Sequence, residues 1–141
     1  MVGKRILLVE DDGSARASIK LLLHIDRHTV VEAETGHEAL DCFARGPFDL
    51  VIMDYAMPEM LGKELAVQLK RLAPSVPILM VTAYLEKLTD SDKPVDAALG
   101  KPFGVVELRQ AIASLAGGSP ANQRKHSFRP VLVSRTIPAR R

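Results

Sequence analysis

Short apolar runs alternate with segments of helical period along most of this chain. Arg5–Val9, Thr29–Ala33, Asp49–Met53, Pro77–Val81 and Val95–Leu99 each have the length and content of a β-strand. Three of them contain unbroken apolar runs: Ile6-Leu7-Leu8-Val9, Leu50-Val51-Ile52-Met53 and Ile78-Leu79-Met80-Val81. Strands without polar alternation are buried on both faces, as in parallel sheets covered by helices. Between them, Ala15, Ile19, Leu22 and Leu23 make one helical stripe and Leu61, Leu65, Leu69 and Leu72 a second. Val105, Leu108, Ile112 and Leu115 make a third. Thr35-Gly36-His37-Glu38 has the form of a capping box, with Glu38 reaching back, and opens a helix that buries Leu40 and Phe43. Ala83–Asp92, followed by Pro94, is expected as a short helix or a loop.

Five strands alternating with helical segments predict an α/β fold, a doubly wound parallel sheet with helices on both faces. Gly117-Gly118-Ser119-Pro120 breaks the last helix, and the periodicity ends there. The expected organisation is one domain over residues 1–118 and a tail over 119–141 without a fold of its own.

Charge sharpens that division. The 141 residues carry a formal net charge of +2. Residues 1–118 hold 13 Lys and Arg against 17 Asp and Glu, a net of −4. The tail holds Arg124, Lys125, Arg129, Arg135, Arg140 and Arg141 and no acid, a net of +6. The body is therefore acidic, which disfavours a nucleic-acid-binding domain. Docking of the tail on an acidic partner is an alternative to a solvated extension. The single cysteine, Cys42, excludes an internal disulfide, and no Cys/His group has zinc-site spacing. No apolar run approaches the ~18 residues that span a bilayer, and Ile6–Val9 is too short for a signal-peptide core. A cytoplasmic location is the expectation. His24, His28, His37 and His126 have no mutual spacing for metal or catalysis and are expected at the surface.

The candidate chemistry collects at one edge. In doubly wound sheets, ligands bind beyond the carboxyl ends of the strands. Glu10, Asp11 and Asp12 follow the first strand, Asp54 the third, Thr82 the fourth and Lys101 the fifth. Singly, each has an ordinary role: Asp12 can cap the next helix, and Thr82 can serve a turn. Together they form an acidic pocket with one ammonium and one hydroxyl. Crowded carboxylates ask for a divalent cation, and an all-oxygen ligand set favours Mg²⁺ or Mn²⁺. That combination suits phosphoryl transfer.

Ile6-Leu7-Leu8-Val9-Glu10-Asp11-Asp12, Met53-Asp54-Tyr55-Ala56-Met57-Pro58 with Gly62 and Glu64-Leu65, Thr82-Ala83, and Lys101-Pro102-Phe103 carry a resemblance. From about residue 4 to 116, the chain resembles the receiver domains of bacterial two-component response regulators, of the chemotaxis-type stand-alone kind. The resemblance implies a flavodoxin-like, five-stranded parallel sheet in order 2-1-3-4-5, with a short fourth helix. It makes Asp54 the phosphoacceptor for a histidine kinase or His-phosphotransfer protein. Asp11 and Asp54, with the backbone carbonyl of Ala56, would hold Mg²⁺, and Glu10 would act through water. Thr82 and Lys101 would contact the phosphoryl oxygens, and Lys101–Pro102 would be a cis peptide. The register of the acidic pair is set by counting back five residues from Arg16, which selects Glu10 and Asp11 over Asp12.

The expected role is a signalling module acting through protein–protein contacts on a downstream target, using the fourth-helix, fifth-strand and fifth-helix face. It catalyses only its own phosphorylation and dephosphorylation, and the tail is too short for a DNA-binding output domain. Three features depart from the family pattern. Ala98 stands where receivers commonly carry Tyr or Phe, only 18 residues separate Thr82 from Lys101, and Gly100 precedes the lysine. The missing aromatic favours an alternative role as a phosphate sink or relay intermediate. An aspartate-nucleophile phosphatase would place a second acid two residues after the nucleophile, where this chain has Ala56.

Overall fold

The computed structural model describes residues 3–57, 59–85, 95–116 and 132–133. The apolar runs form β1 (Arg5–Val9), β2 (Thr29–Ala33), β3 (Leu50–Asp54), β4 (Ile78–Thr82) and β5 (Ala97–Gly100). The periodic segments form α1 (Gly13–Ile25), α2 (Gly36–Ala44), α3 (Gly62–Leu72) and α4 (Val105–Ala116). All strand pairings are parallel, in the order β2-β1-β3-β4-β5. This is the expected flavodoxin-like arrangement.

The sheet is nevertheless one strand wider than five. Leu132–Val133 forms β6, parallel to β5, with Ala98 opposite Leu132 and Leu99 opposite Val133. An uncovered β5 would present a row of unpaired N–H and C=O groups, which an added strand satisfies. A tail without structure is thus corrected at these two residues. The expected helix over Ala83–Asp92 lies mostly outside the described residues, as do Pro58, His126 and the rest of the tail.

Successive side chains of a strand point to opposite faces, and the unbroken apolar runs fill two separate cores. Leu7, Val9, Val51, Met53, Ile78 and Met80 pack with Ala39 of α2 and with Leu65, Ala66 and Leu69 of α3. Ile6, Leu8, Leu50, Ile52, Leu79 and Val81 pack with Ile19 and Leu23 of α1 and with Leu108, Ala111, Ile112 and Leu115 of α4. Each fully buried aliphatic side chain contributes roughly 1.5–3 kcal/mol of transfer free energy, so the central strands are a rigid platform. The stripe of α3 is narrower than its sequence suggests, because Leu61 and Leu72 at its ends are exposed. Leu40 and Phe43 are half-buried and pack at the margin of the first core.

Local signals set the helix ends. The Asp12 carboxylate accepts from the Ser14 N–H at 3.1 Å and caps α1. Thr35 caps α2 through the Glu38 N–H at 3.0 Å. Glu38 reaches back one residue further than a capping box requires, accepting from the Glu34 N–H at 2.6 Å. A two-pronged ion pair from Arg109 to Asp26, at 2.7 and 2.9 Å, ties α4 to the end of α1 on one face. At the opposite end of the sheet from the acidic edge, Asp96 accepts from the Ile78 N–H and from Lys70 Nζ, both at 2.8 Å.

His28 corrects the expectation of surface histidines. His24 and His37 are exposed, but His28 is buried, and its Nδ1 accepts from the Lys4 N–H at 2.9 Å. Only a ring unprotonated at Nδ1 can accept that bond. Burial lowers the His28 pKa below its ordinary 6.5, against the opposing charge of Asp26. Between 6.5 and that lower value the unfolded chain binds more protons than the folded one. The contribution of His28 is therefore fully present above pH 6.5 and is lost as pH falls through its folded value. Titration of the His28 ring by NMR is expected to give a midpoint below 6.5, and a midpoint at or above it would contradict this assignment.

Candidate phosphoacceptor site

The parallel register lines up the carboxyl ends of β1, β3, β4 and β5 and brings the expected residues together. Glu10 follows Val9, and Asp54 ends β3. Thr82 ends β4 beside Gly100, its partner in β5. Lys101 comes next, and its backbone N–H donates to the Thr82 carbonyl at 2.8 Å. The Lys101–Pro102 peptide is cis, as the resemblance implies. Gly100 does not take a positive φ, so the end of β5 uses none of glycine's additional backbone range.

Glu10, Asp11 and Asp54 each offer a carboxylate oxygen within 4.8 Å of the others. The Asp12 carboxylate stands apart from this group as the α1 cap. Glu10 is only 1% exposed, an unusual position for a carboxylate. Lys101 Nζ lies 3.0 Å from Glu10 Oε1 and 3.8 Å from Asp54 Oδ1. Burial raises the Glu10 pKa above its ordinary value and Asp54 raises it further, while the Lys101 hydrogen bond opposes them. Three carboxylates and one ammonium leave the cluster underneutralised. Three oxygen donors close together on two strand ends fit a small hard cation. Ala56 is exposed in the loop after Asp54, and its part as a carbonyl ligand rests on the resemblance.

Two further features support the edge. The Thr82 hydroxyl accepts from the Tyr84 N–H at 2.8 Å, and such a hydroxyl still has its own proton to donate. Gly62 begins α3 directly behind Asp54, where its N–H donates to the Tyr55 carbonyl at 2.9 Å. A Cβ at Gly62 would run into the Asp54 carbonyl oxygen and lie 3.0 Å from Met80 Cε. The close approach of α3 to β3 thus requires a glycine.

Arg16, which serves only to set register in the sequence, makes contacts that no motif shows. Its Nη1 donates to the Glu10 carbonyl at 2.8 Å, and its Nε donates to Glu32 at 3.1 Å. Those partners lie 6 and 16 residues away, too far for any local pattern to show.

Comparison with known proteins agrees with this geometry. Residues 6–113 match the response regulator receiver domain family. The chain belongs to that family. Over 114 residues it is 36% identical to the response regulator MprA of Mycolicibacterium vanbaalenii, covering 79% of this chain and 49% of that protein. The receiver thus spans about half the length of the curated relatives it matches. The structure of response regulator TrrA from Thermotoga maritima, in complex with Mg²⁺-BeF, superposes with a TM-score of 0.75. TrrA is 34% identical, and the match covers 79% of this chain and 98% of TrrA. The receiver domain of the sensor histidine kinase PA1611 from Pseudomonas aeruginosa has magnesium coordinated in its active-site cleft. It is 25% identical, with a TM-score of 0.75 over 83% of this chain and all of that one. Among the described residues, no helix is long and apolar enough to cross a membrane.

The Gly62 contact gives a direct stability test. Gly62→Ala is expected to lower the unfolding free energy by about 1–3 kcal/mol, the range for overpacking a tight contact. Urea denaturation would measure the loss, and an unchanged midpoint would show that α3 yields at no cost.

Proposed function

We propose that this receiver takes a phosphoryl group on Asp54 from a phosphohistidine of a histidine kinase or His-phosphotransfer protein, and signals through protein–protein contacts in the cytoplasm. The observation that carries this reading is the juxtaposition of Glu10, Asp11 and Asp54 within 4.8 Å, with Lys101 reaching two of them. An Asp54 carboxylate oxygen forms the new O–P bond as the P–N bond to the partner's imidazole breaks, and the imidazole leaves with that electron pair. The Lys101 ammonium is already placed to meet the incoming negative oxygens. Thr82, at the end of the neighbouring strand, has a hydroxyl proton to donate to them. Mg²⁺ or Mn²⁺, held by Asp11, Asp54 and the Ala56 carbonyl with Glu10 acting through water, would neutralise charge on the phosphoryl group.

Phosphorylation replaces a charge near −1 at Asp54 with roughly −2 and adds acceptor oxygens. Lys101 then gains a stronger partner than Glu10, which pulls the ends of β4 and β5 toward β3. The chain turns over no separate substrate; it catalyses only the formation and loss of its own acyl phosphate. The Mg²⁺-bound receivers of TrrA and PA1611 support the choice of cation.

A phosphate sink or relay role is favoured by one observation. Ala98, where the family commonly places an aromatic ring, is a fully buried small side chain in β5. Without that ring, passing the phosphoryl group onward to another histidine is a natural use of the site.

Incubation with acetyl phosphate and Mg²⁺, followed by a phosphate-affinity gel, tests the assignment. Wild type is expected to show one retarded band that Asp54→Ala lacks. Equal retardation of both proteins, or of neither, would overturn it.

A further inference from the structure

The strand-end carboxylates need a fixed backbone beneath them, and the contacts around Glu10 show where it comes from. The Glu10 N–H donates to the Ala33 carbonyl at 3.0 Å, which locks that side of the residue to the end of β2. Its carbonyl receives Arg16 Nη1 at 2.8 Å. The same guanidinium donates through Nε to Glu32 Oε1 at 3.1 Å and through Nη2 to Glu34 Oε2 at 3.4 Å. Glu32 is in turn held by Lys20 Nζ at 2.7 Å. Arg16 itself is largely covered, with 17% of its side chain exposed.

The Glu10 carbonyl belongs to the peptide plane that enters Asp11, so its orientation sets the starting direction of Asp11. A planar guanidinium with several donors fixes that carbonyl better than a single ammonium can. Glu32 and Glu34 sit on and just after β2, outside the carboxylate cluster, and they aim the guanidinium.

We propose that Arg16 is a positioning residue for the cation site: anchored by Glu32, it fixes the Glu10–Asp11 peptide and so holds the Asp11 carboxylate toward Glu10 and Asp54. This inference rests on the proposed function, since it concerns the same acidic site. It assigns to Arg16 no contact with the cation or with the phosphoryl group. Partners one step removed from metal ligands commonly change metal affinity by about 10–100-fold when lost.

Calorimetric titration of the full chain with MgCl₂ tests the proposal. Arg16→Gln is expected to weaken Mg²⁺ binding by about 10-fold or more. Arg16→Lys, which keeps the charge and one donor, is expected to recover part of the loss. Glu32→Gln leaves Arg16 in place without its main anchor and is expected to weaken binding in the same direction by less. Arg109→Gln removes an arginine ion pair at the other end of α1, away from the site, and is expected to lower thermal stability with no change in Mg²⁺ affinity. Binding by Arg16→Gln within twofold of wild type would overturn the proposal. If Arg16→Gln does not fold, unchanged affinity in Glu32→Gln would overturn it. Failure of wild type itself to bind Mg²⁺ would instead remove the proposed function on which the inference rests.

Discussion

Glu10, Asp11 and Asp54 lie close enough to repel, and Lys101 is the ammonium that offsets them. Repulsion between two carboxylates near 4 Å costs on the order of 1 kcal/mol in water and about 4 kcal/mol at the effective dielectric of a protein surface. Glu10 sits at the costly end of that range because it is buried. Its hydrogen bond to Lys101 joins residues 91 positions apart, and only a completed sheet brings them together. The acidic edge therefore forms as a consequence of folding and opposes it at the same time. The platform of central strands, apolar on both faces, supplies the stability that makes this arrangement tolerable.

Each candidate site side chain stands at or just beyond the end of a strand whose apolar residues are buried. β1 delivers Glu10 and Asp11, β3 Asp54, β4 Thr82 and β5 Lys101. Main-chain bonds between neighbours fix their relative height: Lys101 N–H to Thr82, Tyr55 N–H to Val81 and Glu10 N–H to Ala33. A shift in any strand would displace an entire apolar face from its core, so the positions of the polar ends inherit the precision of the hydrophobic packing.

Much of this was legible in the chain itself. Continuous apolar runs identify buried parallel strands, and the polar residues that follow each run lie by topology at one edge. Asp12 caps α1 as its place before Ser14 suggests, and Glu10 and Asp11 come together with Asp54 as their places after the first strand suggest. What escaped the sequence depends on distant partners. The buried His28 ring accepts from the Lys4 N–H, 24 residues earlier in the chain, and Arg16 is held by Glu10, Glu32 and Glu34. Glu38 was expected to close on Thr35 and instead reaches Glu34, because the chain entering α2 presents that N–H to it. β6 was missed because two residues in an otherwise aperiodic tail carry no pattern; the exposed edge of β5 gives them a place.

The balance between the carboxylates and Lys101 can be measured directly by comparing Mg²⁺ binding to wild type and to Lys101→Met by calorimetry at neutral pH. If the ammonium is the internal counter-ion of the cluster, it competes with an added divalent cation. Removing it relieves a repulsion on the order of 1–2 kcal/mol even at the dielectric of water. A counter-ion role predicts about tenfold tighter Mg²⁺ binding by Lys101→Met, since 1.4 kcal/mol corresponds to a factor of ten. Unchanged or weaker binding would contradict it.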